Sequence, residues 1–164
     1  MFWRKPATHL FHVGAQKAGS TWLYDYFLSH PAVHVPPIKE MHYFNALWLE
    51  NHKGFSKNRE NELERRRHEL RFAAPREGQG KLTDGPVPRH PTAMPGDIGA
   101  VEVLRELVEM HRSEGLQDHE AYRNFVKWGM SDEKATVDIT PDYAALQARH
   151  FAALDEFPEV ARWY

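Results

Sequence analysis

Lys17, Gly19, Ser20 and Thr21 fall within one short stretch, directly after the apolar run Leu10-Phe11-His12-Val13 and directly before a helical pattern from Thr21 to Ser29. A glycine-containing turn between a strand and a helix aims several backbone N–H groups at one anion, and the positive end of the helix dipole favours negative charge there. The amides of Ala18, Gly19, Ser20, Thr21 and Trp22, with the Ser20 and Thr21 hydroxyls, are therefore candidate phosphate ligands. Lys17 is the candidate cation, and Gly19 allows close backbone approach. From these residues alone, an ordinary strand-to-helix turn with a solvated lysine stays open.

The position of the lysine narrows the chemistry. A Walker A loop reads G-x-x-x-x-G-K-[ST]. Gly14 and Gly19 have that separation and Thr21 holds the hydroxyl position, but Ser20 replaces the lysine. Lys17 instead precedes the second glycine, where it suits a single 5′-phosphate and its leaving bond rather than a triphosphate tail. A P-loop kinase is the alternative; the missing lysine and the lack of a clear Walker B aspartate speak against it. A non-catalytic nucleotide-binding remnant is the third reading.

Lys17-Ala18-Gly19-Ser20-Thr21-Trp22-Leu23 resembles the K-x-G-[ST]-T-x-L loop of sulfotransferases that use 3′-phosphoadenosine 5′-phosphosulfate (PAPS). Lys39-Glu40-Met41-His42-Tyr43-Phe44 is similar to the K-E-x-H-F-F segment of carbohydrate (heparan-type) and related bacterial members. Val137-Asp138-Ile139-Thr140-Pro141-Asp142-Tyr143 is similar to their E-x-[ST]-P-x-Y segment. The resemblance implies PAPS as co-substrate, no metal, and a small-molecule or saccharide acceptor. It also implies Lys17 at the bridging oxygen and Glu40 as the base that deprotonates the acceptor. His42 lies two residues from Glu40, on the same side if the segment is extended, where it could orient the acceptor or bond Glu40. Lys39 reads as a solvated charge. Asp138 is open between contacting Lys17 or the acceptor and capping a turn, and Tyr143 reads as packing.

The sequence also departs from the family. Asn45 stands where some carbohydrate sulfotransferases have Asp, and Ile139 where heparan-type enzymes carry lysine, which weakens the case for a highly sulfated glycan. Nothing matches the R-D-P-x-x-R-x-x-S segment that binds the 3′-phosphate. Residues Phe157 to Tyr164 fall where the strand leading to it is expected. The expectation is thus the N-terminal portion, residues 1–164, of a single sulfotransferase domain, incomplete at its C-terminus. An exposed sheet edge would then favour self-association and leave little or no turnover.

Composition bounds these readings. The 164 residues carry a formal charge of −2, which gives no reason to expect nucleic-acid binding through a basic field. There is no cysteine, so disulfides and thiolate metal sites are excluded. No apolar run is long enough to span a membrane. The N-terminus has no extended apolar leader region, and the chain is expected to be cytoplasmic. Eleven histidines invite a metal, but His9/His12 and His30/His34 make poor ligand pairs and no metal is expected.

The elements that must position these residues follow from periodicity. Strands are predicted at Leu10–Val13, Val33–Val35 and Ala135–Ile139. Helices are predicted at Thr21–Ser29, Ser56–Phe72, Val101–His111, around Tyr122–Val126, and from Thr140 toward Leu154 with Pro141 at the first position. Residues 73–100, rich in proline and glycine, read as a loop. Alternating strands and helices predict an α/β, P-loop-like layered fold with a parallel sheet flanked by helices.

Overall fold

The computed structural model describes residues 8–72, 96–113 and 119–155. Strand β1 (Thr8–His12) leads through the glycine loop into helix α1 (Ser20–Ser29) and then β2 (Val33–His34). Helix α2 (Tyr43–Trp48), a 3-10 turn (Glu50–His52) and the long α3 (Gly54–Phe72) follow. After residues 73–95 come α4 (Gly96–Arg112), α5 (Glu120–Val126) and β3 (Ala135–Ile139). A 3-10 helix (Pro141–Ala145) and α6 (Ala148–Asp155) complete the order.

The sheet is parallel, in the order β1-β3-β2, with Phe11 opposite Asp138 and His34 opposite Thr136. Because all three strands run parallel, their C-terminal ends share one edge of the sheet. Ligand crevices of open α/β sheets form at that edge.

Side-chain alternation along β1 feeds two cores. Phe11 joins the larger cluster, with Met41, Tyr43, Phe44, Leu107, Tyr122, Phe125 and Tyr143. Leu10 packs on the smaller one, where Leu23 and Phe27 of α1 cover Val35, Val137 and Ile139. So α1 covers one face of the sheet and α2, α4 and α5 contribute to the core of the other. The four-residue spacings of α1 divide accordingly: Leu23 and Phe27 face inward, whereas Trp22 (70% exposed) and Tyr26 stack on each other at the surface.

Helix α3 earns its place through little apolar surface. Leu63 is buried against Leu104 and Val108 of α4. Its flank carries ion pairs one turn apart, Arg65–Glu62, Arg65–Glu69, Arg66–Glu62 and Arg67–Glu64. Such pairs add only tenths of a kcal/mol each, roughly 0.3–0.5.

The structure departs from the sequence expectations at several elements. The single helix predicted from Thr140 toward Leu154 is a 3-10 helix followed by α6, separated by an extended Leu146. Thr140 does not cap, because its hydroxyl is drawn to the Asp138 carboxylate at 2.7 Å. Helix α2 went unrecognised because Tyr43, Phe44, Asn45 and Ala46 are all buried, which leaves no polar face to reveal a helical period. Among the described residues no helix is long and apolar enough to cross a membrane. The part of the predicted 73–100 loop over 73–95 and the segment Phe157–Tyr164 lie outside the described residues, whereas Gly96 to Ala100, expected in that loop, form the start of α4.

Candidate functional site

Three segments meet at the C-terminal edge of the sheet: the loop after β1, the segment from Val35 to His42 after β2, and the 3-10 helix after β3. Two main-chain bonds tie their bases together. The Glu40 amide donates to the Ile139 carbonyl at 3.0 Å, and the Thr140 amide to the His12 carbonyl at 3.3 Å.

The loop enters α1 through Gly19, whose φ of 85° suits glycine, and no side chain caps the helix. The first i→i−4 bond runs from the Leu23 amide to the Gly19 carbonyl. The amides of Ser20, Thr21 and Trp22 precede it and so are not used by the helix ladder. Ala18 donates back to the Ala15 carbonyl at 3.2 Å, so its amide is engaged within the turn instead of being left for an anion. Gly14 is fixed by packing: a Cβ there would come within 2.9 Å of the Ala144 Cβ.

Lys17 sits exposed on this loop with a φ of 58° and forms no hydrogen bond or ion pair among the described residues. The ammonium at the hydroxyls belongs to Lys39. Its Nζ donates to Ser20 Oγ at 3.1 Å and Thr21 Oγ1 at 3.2 Å, and stands 3.4 Å from Glu40 Oε1. Its side chain is only 22% exposed, so the expectation of a solvated Lys39 is corrected. Sequence spacing could not find this contact, because it is made by an element entering from another strand.

Glu40, the expected base, stands beside the Lys39 ammonium with its side chain 45% exposed. Arg59 of α3 donates to the Glu40 carbonyl at 3.4 Å. Burial lowers the Arg59 pKa and the Glu40 charge opposes that shift, so this guanidinium also feels the carboxylate. His12, at the end of β1, is a further group the sequence did not single out. Burial lowers its pKa, with the Lys39 charge adding to the effect, and its Nε2 has no hydrogen-bond partner among the described residues.

His42 does not share a side with Glu40 by strand alternation. Both residues have left-handed backbones, φ 58° for Glu40 and 57° for His42, so the segment is not extended. The buried imidazole stacks on Phe55 at 3.8 Å and directs Nδ1 at Asn45 Oδ1 (3.4 Å) and Asp142 Oδ2 (3.6 Å). The Asn45 amide donates to the Asp142 carbonyl, which leaves its Oδ1 facing the ring and fits an Nδ1–H tautomer. Burial lowers the His42 pKa, with Asp142 the strongest opposing influence.

Asp138 is neither a contact of Lys17 nor a simple turn cap. It is fully buried and accepts hydroxyls from Thr140 at 2.7 Å, Tyr143 at 2.8 Å and Tyr122 at 2.9 Å. His9 extends this network through Tyr122 Oη and Thr136 Oγ1. Burial raises the Asp138 pKa against the pull of those three hydroxyls. Tyr143 is buried as expected, and its phenol pKa is raised by burial and by Asp138.

Among the described residues no group of three His, Asp or Glu side chains could hold a metal ion. A hollow of about 150 Å³ between α3 and α4, lined in part by Lys57, Glu60, Glu64 and Arg112, touches none of the three segments. No protein-family model, curated protein or solved structure matches the chain.

Proposed function

We propose that the chain is a PAPS-dependent sulfotransferase with a P-loop-like fold, acting on a hydroxyl or amine of a small molecule or saccharide. The observation that carries this reading is the uncapped start of α1 with the Lys39 ammonium lying across Ser20 and Thr21, 3.4 Å from the Glu40 carboxylate. A helix N-terminus flanked by a lysine favours a phosphate-sized anion, and a carboxylate beside it can accept a proton from a nucleophile.

In the proposed reaction the 5′-phosphate is held by the amides of Gly19, Ser20, Thr21 and Trp22 and by the two hydroxyls. Lys39 moves from those hydroxyls onto the phosphosulfate. Glu40 takes the acceptor proton as the acceptor oxygen or nitrogen bonds to sulfur. The bond from sulfur to the bridging oxygen breaks, and its electron pair stays on the phosphate of 3′-phosphoadenosine 5′-phosphate. Lys17, on the exposed outer side of the loop, neutralises the charge that grows on that oxygen, an interaction stronger in the transition state than in the ground state.

A ligand that binds only the folded state raises the melting temperature. A rise with 3′-phosphoadenosine 5′-phosphate and none with ATP and magnesium is the expected result. A magnesium-dependent rise with ATP alone would favour a kinase, and no rise with either would remove the nucleotide reading.

A further inference from the structure

We infer that Asp142 is a positioning residue that latches the glycine loop to the Lys39–Phe44 segment. The carboxylate is shared between two elements. Oδ1 accepts the side-chain amide of Gln16, in the middle of the loop, and Oδ2 faces His42 Nδ1 at 3.6 Å. The main chain of the same residue accepts Asn45 Nδ2 at 3.0 Å, which ties it to α2 as well. Gly14 also packs closely on the same 3-10 helix, where an added Cβ would run into Ala144 and the Pro141 carbonyl.

These contacts decide what the loop rests on. Its own internal support is a single turn bond, Ala18 to Ala15. The Gln16–Asp142 bond is the polar side-chain tie that holds the exposed part of the loop to the rest of the chain. His42 Nδ1 faces the other carboxylate oxygen at 3.6 Å, so a shift of the Lys39–Phe44 segment and a shift of the loop act on one side chain. The charged groups that act on His42 are Asp142, Arg59 and Glu40, with Asn45 bonded to its ring. Of these, Asp142 alone also reaches the loop. The latch rests on this geometry, whereas its bearing on phosphate binding rests on the function proposed above.

Three variants separate the two halves of the latch. Asp142→Ala removes both contacts, Asp142→Asn keeps an acceptor for Gln16 but removes the charge facing His42, and Gln16→Ala removes the loop contact alone. Tryptic cleavage after Lys17, followed by mass spectrometry, reads local opening of the loop. It should be faster by about tenfold in Asp142→Ala and Gln16→Ala and near the parent rate in Asp142→Asn. The His42 ring, titrated by NMR, should protonate at lower pH in both Asp142 variants and at the parent pH in Gln16→Ala. Parent cleavage rates in Asp142→Ala and Gln16→Ala, or an unmoved His42 titration in both Asp142 variants, would overturn the latch. If Asp142→Ala fails to fold, Gln16→Ala and Asp142→Asn decide the two halves. Affinity for 3′-phosphoadenosine 5′-phosphate should fall with the loop-opening variants. A parent chain that binds none of this nucleotide, while cleavage and titration respond as described, sinks the phosphate reading and leaves the latch supported.

Discussion

Glu40 and Asp138 are two carboxylates at the same edge of one sheet, and their surroundings set them to different work. Asp138, on β3, is sealed beneath Tyr122, Tyr143 and Thr140 and gives all its visible acceptor capacity to their hydroxyls. Glu40 follows β2, is nearly half exposed, and has an ammonium beside it. A buried carboxylate with three donors organises its neighbourhood and is poorly placed to exchange protons with a substrate. An exposed one beside a cation can do so. The contrast teaches that two motif carboxylates can reach the same edge of one sheet and still differ in burial, which decides which of them is open to a substrate.

The largest effect expected from this contrast is on stability. Asp138→Ala leaves three buried hydroxyls short of an acceptor and should cost about 3 kcal/mol or more in urea unfolding. A loss below about 0.5 kcal/mol would erase the distinction, since that is the range of an ordinary surface substitution. Glu40→Gln should show the opposite pattern: unfolding within about 0.5 kcal/mol of the parent, with sulfuryl transfer, assayed in a form of the protein competent for turnover, slowed by about a hundredfold. Lys17→Ala should slow transfer by a similar factor in that form, again with the fold intact, because the exposed side chain forms no hydrogen bond or ion pair among the described residues. Lys39→Met should weaken binding of 3′-phosphoadenosine 5′-phosphate by about tenfold, as measured calorimetrically. Equal affinity would remove Lys39 from the site.

The buried side of the comparison also has a pH signature. The His9 pKa is lowered to about 3, first by burial and then by the Lys127 charge. The unfolded ring titrates near the usual histidine value of about 6.5, so between those values protons bind the unfolded chain in preference. The His9 contribution is therefore complete above about pH 6.5 and is lost as pH falls toward 3. Replacing His9 by Asn should flatten the slope of unfolding free energy across that window; an unchanged slope would place the acid sensitivity elsewhere. The smallest effect is expected on α3. Arg65→Ala breaks exposed pairs to Glu62 and Glu69 and should change stability by less than about 0.5 kcal/mol.

Much of the architecture could be read before any coordinates. β3 spans Ala135–Ile139 as the sequence predicts, and α1 lies where Gly19 and His30-Pro31 bound it. The amphipathic pattern of Val101–His111 falls within α4, though residues Val103 and Met110 are also buried. What escaped was governed by tertiary contacts. Helix α2 hides its period because it is buried on all sides, and Thr140 fails to cap because a carboxylate two residues earlier competes for its hydroxyl. The site was legible as three segments but not as an arrangement. Lys39 was misjudged because its partners, Ser20 and Thr21, lie on the far side of a crossover.

The sequence by itself determined the local pieces: a glycine-bounded turn entering a helix, short apolar strands, and the residue types able to meet an anion. Those follow from backbone freedom and side-chain polarity within a few residues of each position. Only the tertiary structure decided that β3 inserts between β1 and β2, which gathers three turns at one edge of the sheet. The same packing seals Asp138, leaves Glu40 open, and lays the Lys39 ammonium on the start of α1. Such outcomes depend on desolvation and on groups far apart in the chain, and no local pattern encodes either.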